Sequence, residues 1–310
     1  MVSPADIDAA AELIRAHVRR TPVMNLEPGY AELSAELFLK LELFQHTGSF
    51  KPRGAFHRIL RSEVPEAGVI TASGGNHGQA VAYVCRTLGL RAEIFVPAGS
   101  PPLKAERIRR FGAQVTVTGE FYDDAMEACL KRAEETGALL VHPYDHPQVV
   151  AGQGTVGREL EEQLPQLDTV LVAAGGGGLA AGVAAWYAGR RRVIAVEPEG
   201  CPALARALEA GEPVEVPVGG VAADSLGARR IGAVPFAVAR ELIDAAVLVS
   251  DEAILEAQWR LWDSLRILAE PGGVAALAAL LSGAYVPQAG ERVGAIVCGG
   301  NTASLPQQRA

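Results

Sequence analysis

Short apolar segments alternate along this chain with longer amphipathic segments, and few folds accommodate such an alternation. The candidate strands are "LFLKLEL", "GVITAS", "AEIFVP", "AQVTVT", "TVLVAAG", "RVIAVEP", "AAVLVS" and "RVGAIVCGG". Most are followed by a helical pattern such as "GNHGQAVAYVCRTLG". Strands made almost entirely of Val, Ile, Leu and Ala are typical of parallel sheets that helices cover on both faces. The sequence therefore predicts an α/β fold with twisted, largely parallel sheets covered by helices.

The ends of the predicted elements add detail to this fold. The stretch "SPADIDAAAELIRAH" predicts an opening helix with Ser3 as N-cap and Pro4 in the first turn. Residues 169–189 and 271–290 carry no charge and are long enough to suggest membrane spans. They contain several glycines, however, and glycine in a helix costs about 1 kcal/mol relative to alanine. We therefore predict two parts of a buried core rather than membrane spans.

Composition excludes some classes of partner. The chain has 310 residues, 49% of them hydrophobic, and a net charge of -8. A protein of this charge offers no cationic surface to nucleic acid, so we expect none as a partner. The cysteines lie far apart, form no C-x-x-C pair and accompany no signal peptide: Cys85, Cys129, Cys201 and Cys298. We expect reduced thiols, a cytoplasmic protein and no membrane partner.

Glycine-rich loops recur where the candidate strands end. They are "SGGNHG", "AGQGT", "GGGGL", "EPGG" and "CGGN". Ligands of open parallel sheets bind at the carboxyl ends of the strands. The recurrence therefore predicts a single site built from distant parts of the chain.

The stretch "TVLVAAGGGGLAAGVAAW" reads as a strand, a tight turn and a helix, which is typical of a phosphate-binding loop. A rival interpretation is a nicotinamide dinucleotide site, because Gly176-x-Gly178-x-x-Ala181 fits the dinucleotide fingerprint and Glu197 follows about 20 residues later. That interpretation leaves "SGGNHG" and the segment around Lys51 unexplained. A cofactor that carries one phosphate and needs one lysine accounts for all three features.

The lysine segment, "TGSFKPRGA", is followed in order by "TASGGNHGQAVA", "GQGT", "GGGGL", "EPGG" and "CGGN". This ordered set resembles the fold-type II pyridoxal phosphate enzymes with the tryptophan synthase β-like fold. Within them it is most similar to the threonine/serine dehydratase and serine racemase group. The resemblance covers almost the whole chain and implies pyridoxal 5'-phosphate as cofactor.

The resemblance also implies how the cofactor is held. Lys51 would bind it covalently, Phe50 would pack against its ring, and Asn76 would hydrogen-bond the ring hydroxyl. Cys298 would face the ring nitrogen, where relatives often have serine or threonine. The phosphate would lie on the glycine loop and the amide that follows it, and Glu270 of "EPGG" would complete the cofactor site. The loop residues are Gly175, Gly176, Gly177, Gly178 and Leu179.

The substrate carboxylate would bind to the loop of Ser73, Gly74, Asn76 and His77. Lysine freed from the cofactor is a suitable base for the α-proton of an amino acid. A neutral thiol at the ring nitrogen favours rapid β-elimination, so we expect dehydration of a β-hydroxy amino acid such as L-threonine or L-serine to a 2-oxo acid and ammonia. Racemisation, β-replacement and a non-catalytic cofactor carrier stay open. Gly74 disfavours racemisation because racemases have a serine there.

Some residues depart from the family's pattern. Relatives often bind a divalent cation through a glutamate, here Glu197, and an aspartate, here Ala203, so we predict no complete metal site. Ser225 replaces a glycine that lies near the cofactor in relatives, so hydroxyaspartate, phenylserine or a larger substrate stays possible. In "HPYDHP", His142 and His146 have the spacing of metal ligands, but the prolines favour a loop.

The resemblance implies two domains. The large, cofactor-binding domain would comprise residues 1–53 and 148–310, and the small domain residues 54–147. The cofactor would lie between them, and the small domain would close on the substrate carboxylate. A homodimer or homotetramer is expected.

Overall fold

The computed structural model describes residues 1–27, 29–30, 35–100 and 102–307. Its strands are β1 Val23–Asn25, β2 Glu36–Lys40, β3 Val69–Ala72, β4 Ala92–Val96, β5 Gln114–Val117, β6 Leu139–Leu140, β7 Thr169–Ala173, β8 Arg192–Pro198, β9 Ala245–Val249 and β10 Arg292–Ile296. Its α-helices are α1 Pro4–Ile14, α2 Lys51–Leu60, α3 Asn76–Leu88, α4 Pro102–Arg109, α5 Tyr122–Thr136, α6 Pro147–Gln163, α7 Gly178–Tyr187, α8 Ala203–Ala210, α9 Ala223–Leu226, α10 Ala233–Leu242, α11 Asp251–Leu265 and α12 Ala275–Ser282. Short 3-10 helices span Glu42–Phe44, His46–Gly48 and Pro271–Val274.

The larger sheet has six strands in the order β1-β2-β10-β7-β8-β9. Strand β1 pairs antiparallel with β2, and the other neighbours are parallel. Strand β10, from the end of the chain, lies between β2 and β7, with Ala295 opposite Leu39 on one side and Leu171 on the other. Every residue of β7 is buried, which explains its uninterrupted apolar sequence.

The smaller sheet has four parallel strands in the order β5-β4-β3-β6. Helix α3 packs on its central strands, and Ile94 and Val84 belong to a hydrophobic cluster distinct from that of the larger sheet. The α/β class predicted from the sequence is confirmed. The domain boundaries at residues 53/54 and 147/148 stay a prediction.

The opening helix and the apolar stretches match their predictions. Helix α1 begins at Pro4, and the Ser3 hydroxyl accepts a hydrogen bond from the backbone N–H of Asp6 over 3.3 Å. The two uncharged stretches contain helices α7 and α12, which are almost entirely buried in the large core. Among the described residues, no helix combines the length and apolarity needed to cross a membrane. The short strands β1 and β6 were not predicted from the sequence.

Candidate active site

A cavity lies at the carboxyl ends of the central strands β7 and β10. Its walls come from loops that are far apart in the sequence, as the recurring glycine-rich segments predict. The lining residues are Phe50, Lys51, Asn76, Tyr144, Ala173, Gly175, Gly176, Gly177, Gly178, Leu179, Ser225, Leu226, Glu270 and Cys298.

Lys51 is the first residue of helix α2, and its side chain points into this cavity. The turn before it is fixed because the Phe50 N–H donates to the Cys298 carbonyl over 3.2 Å. Pro52 suits the first turn, where its missing N–H leaves no acceptor unpaired. The Lys51 Nζ donates to the Pro143 carbonyl over 2.9 Å and lies 5.1 Å from the centre of the Phe50 ring.

The environment of the Lys51 amine favours its neutral form. Burial lowers the pKa of Lys51 to about 8, against the opposing effects of Cys298 and Glu270. A surface lysine has a pKa near 10.4. Lys51 is therefore not an ordinary surface charge, and its role as the lysine that binds the cofactor stays a prediction.

The loop Gly175–Gly178 connects β7 to α7 and can only be built from small residues. A Cβ on Gly175 would lie 2.8 Å from the Leu226 carbonyl oxygen. Gly177 has a φ of 87°, a left-handed conformation that favours glycine, and a Cβ there would lie 2.9 Å from Ile231 and Pro235. The loop leads into the N-terminus of α7, whose free N–H groups favour an anion. This cradle fits a phosphate group.

Tyr144 closes one side of the glycine loop, and it was not among the predicted site residues. A Cβ on Gly176 would overlap the Tyr144 ring. The phenol oxygen lies 3.5 Å from the Arg230 carbonyl. The only sequence signal was the segment "HPYDHP", which we considered as a metal site and interpreted as a loop.

The histidines of that segment serve its backbone. His142 Nδ1 accepts from the Asp145 N–H over 2.8 Å, and burial lowers the pKa of His142 to about 4. His146 caps helix α6, because its Nδ1 accepts from the Gln148 N–H over 3.1 Å. Both imidazoles therefore hold the loop that carries Tyr144.

A chain of side chains joins three glycine-rich loops at the cavity. Asn76 Nδ2 donates to Glu270 Oε1 over 2.5 Å, and Asn76 Oδ1 accepts from Asn301 Nδ2 over 2.7 Å. Burial raises the pKa of Glu270 to about 7, while the Asn76 hydrogen bond opposes the shift. These bonds orient the Asn76 amide. Its contact with the hydroxyl of the cofactor ring stays a prediction. Asn301 was not among the predicted site residues, although it ends the motif "CGGN".

Cys298 lies just after the end of strand β10. Its Sγ is 3.6 Å from the Gly272 carbonyl oxygen and is buried. Burial, followed by the charge of Glu270, raises the pKa of Cys298 to about 12. The thiol is therefore neutral and carries no charge towards the cavity.

The predicted carboxylate loop lies beside the cavity, between β3 and α3. Of its residues only Asn76 lines the cavity itself. The Ser73 hydroxyl accepts from the Gly75 N–H over 3.2 Å. The His77 side chain is buried against the sheet, with Nε2 2.9 Å from the Val141 carbonyl, and burial lowers its pKa to about 3. His77 can therefore offer a ligand only its backbone N–H. Carboxylate binding by Ser73, Gly74, Asn76 and His77 stays a prediction.

The Glu197 carboxylate is hydrogen-bonded to the backbone within the fold. Its two carboxylate oxygens accept from the Leu204 and Ala205 N–H groups over 2.7 and 2.8 Å, at the start of helix α8. Burial raises the pKa of Glu197 to about 7. A dinucleotide would need this carboxylate for a ribose, so the geometry argues against the nicotinamide interpretation. Among the described residues, no three His, Cys, Asp or Glu side chains form a cluster that could hold a metal ion.

A buried lysine with a lowered pKa, a glycine cradle for one phosphate, an oriented amide and a neutral thiol together fit pyridoxal phosphate. The family model described as "Pyridoxal-phosphate dependent enzyme" matches residues 14–299. The chain belongs to this family. This pyridoxal-phosphate dependent enzyme accordingly uses pyridoxal phosphate as its cofactor.

Relatives of this pyridoxal-phosphate dependent enzyme carry two kinds of name. It is 39% identical over 301 residues to an L-threonine ammonia-lyase of Geobacter sulfurreducens, covering 95% of this chain and 74% of that protein. A solved threonine deaminase from T.th. superposes with a TM-score of 0.91 at 38% identity, over 98% of this chain and 100% of that one. Maize serine racemase superposes with a TM-score of 0.92 at 35% identity, over 97% and 94% of the two chains. The predicted fold type and family are thereby confirmed.

Proposed function

We propose that this enzyme removes water from a small β-hydroxy amino acid, L-threonine or L-serine, and releases a 2-oxo acid and ammonia. The observation that carries the proposal is the pairing of a reactive lysine with an uncharged thiol. The pKa of Lys51 is lowered to about 8, and that of Cys298 is raised to about 12. The relatives named threonine ammonia-lyase and threonine deaminase support the same reaction.

In the proposed reaction Lys51 is the catalytic base. Pyridoxal phosphate, when bound, withdraws electrons from the α-carbon of an amino acid and so acidifies the α-proton. The Lys51 amine, about half neutral near pH 8, is the base that takes this proton. Loss of the β-hydroxyl as water and later uptake of one water balance the reaction, in which L-threonine gives 2-oxobutanoate and ammonia. The neutral Cys298 thiol adds no charge that would hold a proton on the cofactor ring.

The remaining site residues have supporting roles in this proposal. Phe50, Asn76 and Glu270 hold the cofactor ring. The loop from Gly175 to Leu179 holds the phosphate through backbone N–H groups. The loop residues Ser73, Gly74, Asn76 and His77 receive the substrate carboxylate.

Racemisation of an amino acid is the second candidate. Solved relatives include serine racemases, and a hydroxyl is present near the position where racemases have a serine. A Cβ on Gly74 would lie 3.2 Å from the Ser100 Oγ, so this hydroxyl borders the position of the missing side chain. Elimination ranks first because it needs no acid on the second face of the substrate.

The experiment is an assay of 2-oxo acid release from L-threonine, L-serine, threo-3-hydroxyaspartate and phenylserine by the cofactor-loaded protein. We expect release from L-threonine and L-serine, and loss of both turnover and the visible chromophore in Lys51→Ala. Lys131→Ala, an exposed lysine of α5, is the matched control and should behave as wild type. A yellow protein that leaves all four substrates intact would contradict the proposal and favour racemisation, which chiral chromatography of L-serine would then detect.

We further propose that the enzyme works in the cytoplasm as a homodimer or homotetramer. All cysteines are unpaired and buried, which is compatible with a reducing compartment. Light scattering of the purified protein measures the oligomeric state, and a monomer at all concentrations would contradict this part.

A further inference from the structure

Ser225 lies in the wall of the cofactor cavity. The reaction proposed above gives its hydroxyl no role. Ser225 belongs to the short helix α9, together with Asp224 and Leu226. The Asp224 carbonyl oxygen lies near Gly75 of the carboxylate loop, 3.8 Å from where a Cβ would be. On the other side, Leu226 packs against Gly175 of the phosphate loop. Helix α9 therefore spans the cavity between the two loops, with Ser225 in the middle.

The Ser225 hydroxyl has no partner among the residues that the structure describes, although its backbone N–H donates to the Ala222 carbonyl over 3.1 Å. The residue is half-buried and lines the wall of the cavity. A hydroxyl carries one donor and two acceptor positions, and a ligand that displaced water from the cavity would leave them unpaired unless it supplied a partner. A ligand in the cavity is the natural partner.

The surrounding chain makes room for this hydroxyl. A Cβ on Gly272 would overlap Ser225 Oγ, so a larger residue at position 272 would displace the serine hydroxyl. The carbonyl of the same Gly272 accepts from Cys298. The hydroxyl thus lies against Gly272 in the wall of the cavity.

We propose that Ser225 is a specificity-determining residue, whose hydroxyl hydrogen-bonds the β-hydroxyl of the bound amino acid. The assignment rests on the proposed function for its substrate class, and it narrows that class. A serine here adds a polar group and fills space between the two loops. It therefore favours small β-hydroxy amino acids such as serine and threonine, and it disfavours phenylserine, whose β-phenyl group needs the space that the serine side chain fills.

The decisive test measures binding without turnover. α-Methyl-L-serine and 2-aminoisobutyrate differ by one hydroxyl, and neither has an α-proton to lose. Calorimetric titration of the cofactor-loaded wild type should show tighter binding of α-methyl-L-serine. Ser225→Ala should lose about 3–10-fold of this preference, the worth of one ordinary hydrogen bond, and leave 2-aminoisobutyrate binding unchanged. Ser264→Ala, which removes an exposed hydroxyl from helix α11, is the matched control.

Turnover gives a second readout if the proposed elimination is correct. Ser225→Ala should lower kcat/KM for L-serine about 3–10-fold, and Ser225→Gly should raise kcat/KM for phenylserine relative to L-serine. An unchanged preference between the two methylated ligands in Ser225→Ala overturns the assignment, whether or not the wild type releases 2-oxo acid. An equal loss for both ligands with a shifted visible spectrum also overturns it, because the hydroxyl then acts on the cofactor.

Discussion

At the scale of single residues, the site depends on what burial does to two side chains. The same burial that lowers the pKa of Lys51 raises that of Cys298, because each loses solvation of its charged form. Neither effect requires an unusual residue. Both follow from desolvation of the lysine and the thiol in one cavity at the ends of β7 and β10, where Glu270 opposes the shift of Lys51 and adds to that of Cys298.

The pH dependence of cofactor capture follows from the Lys51 pKa. Only the neutral amine attacks a carbonyl, so the rate at which cofactor-free protein captures pyridoxal phosphate should rise about tenfold per pH unit below pH 8 and level off above it. Glu270→Gln should move this profile to lower pH, since the Glu270 charge favours the ammonium form. Stopped-flow growth of the visible band gives the rates. A profile that still rises steeply towards pH 10 would mean that Lys51 has an ordinary pKa.

At the scale of elements, a buried group of charges anchors helix α2, which carries Lys51. Arg53 Nε and Nη2 bind the two oxygens of Glu42 over 2.8 and 2.7 Å, and Nη2 also lies 3.0 Å from Glu159 of helix α6. Lys40 Nζ completes the group, 2.5 Å from Glu159. Arg53, Glu42 and Lys40 are almost fully buried, so each charge depends on its partners. This explains the arginine in the segment after Lys51.

Removing one member should therefore destabilise the whole fold. Arg53→Met keeps most of the side-chain volume but leaves the Glu42 carboxylate buried without its cation, so we expect a loss of about 3–5 kcal/mol in the free energy of unfolding. Arg158→Met, which breaks a partly exposed pair with Asp8 at 2.6 Å, should lose less than about 1 kcal/mol. Urea unfolding followed by circular dichroism measures both. Equal losses of unfolding free energy in the two variants would show that burial does not increase the contribution of the Arg53 ion pairs to stability.

At the scale of the whole molecule, two ion pairs join helices of the smaller sheet to helix α9 and the segment that follows it. Lys104 of α4 pairs with Asp224 of α9. Asp123 of α5 lies 3.5 Å from Arg229, which follows α9. Helices α4 and α5 pack on the smaller sheet, whereas α9 packs against the 3-10 helix of the larger half. Both pairs are formed in this structure, so they link elements of the two halves as it stands.

Breaking the first pair should weaken substrate binding. Lys104→Ala and Asp224→Ala should each raise KM for L-threonine up to about fivefold, because an exposed pair contributes at most about 1 kcal/mol. The double variant should be little worse than either single variant, and about 0.5 M salt should reduce all the differences. Arg206→Ala, which breaks a pair with Glu209 within helix α8, is the matched control. Additive effects of the two substitutions would show that the pair does not act as a unit.

The sequence by itself determined the α/β class, the longer strands, the cofactor and several of the segments that line the cavity. Local sequence patterns predict these features, because an apolar strand, a capped helix and a glycine-rich loop each occupy adjacent residues. Their order along the chain added the family. Strands β1 and β6 have three and two residues, too few for any pattern to be detected.

Only the tertiary structure decided how those segments meet. The bond from Asn76 to Glu270 joins residues 194 positions apart, and the Lys51 ammonium finds the Pro143 carbonyl 92 positions away. Tyr144 against Gly176, the free hydroxyl of Ser225 and the inward turn of His77 likewise depend on packing between distant loops. The pKa values follow from the same packing, since desolvation is a property of the closed cavity and not of any segment that lines it.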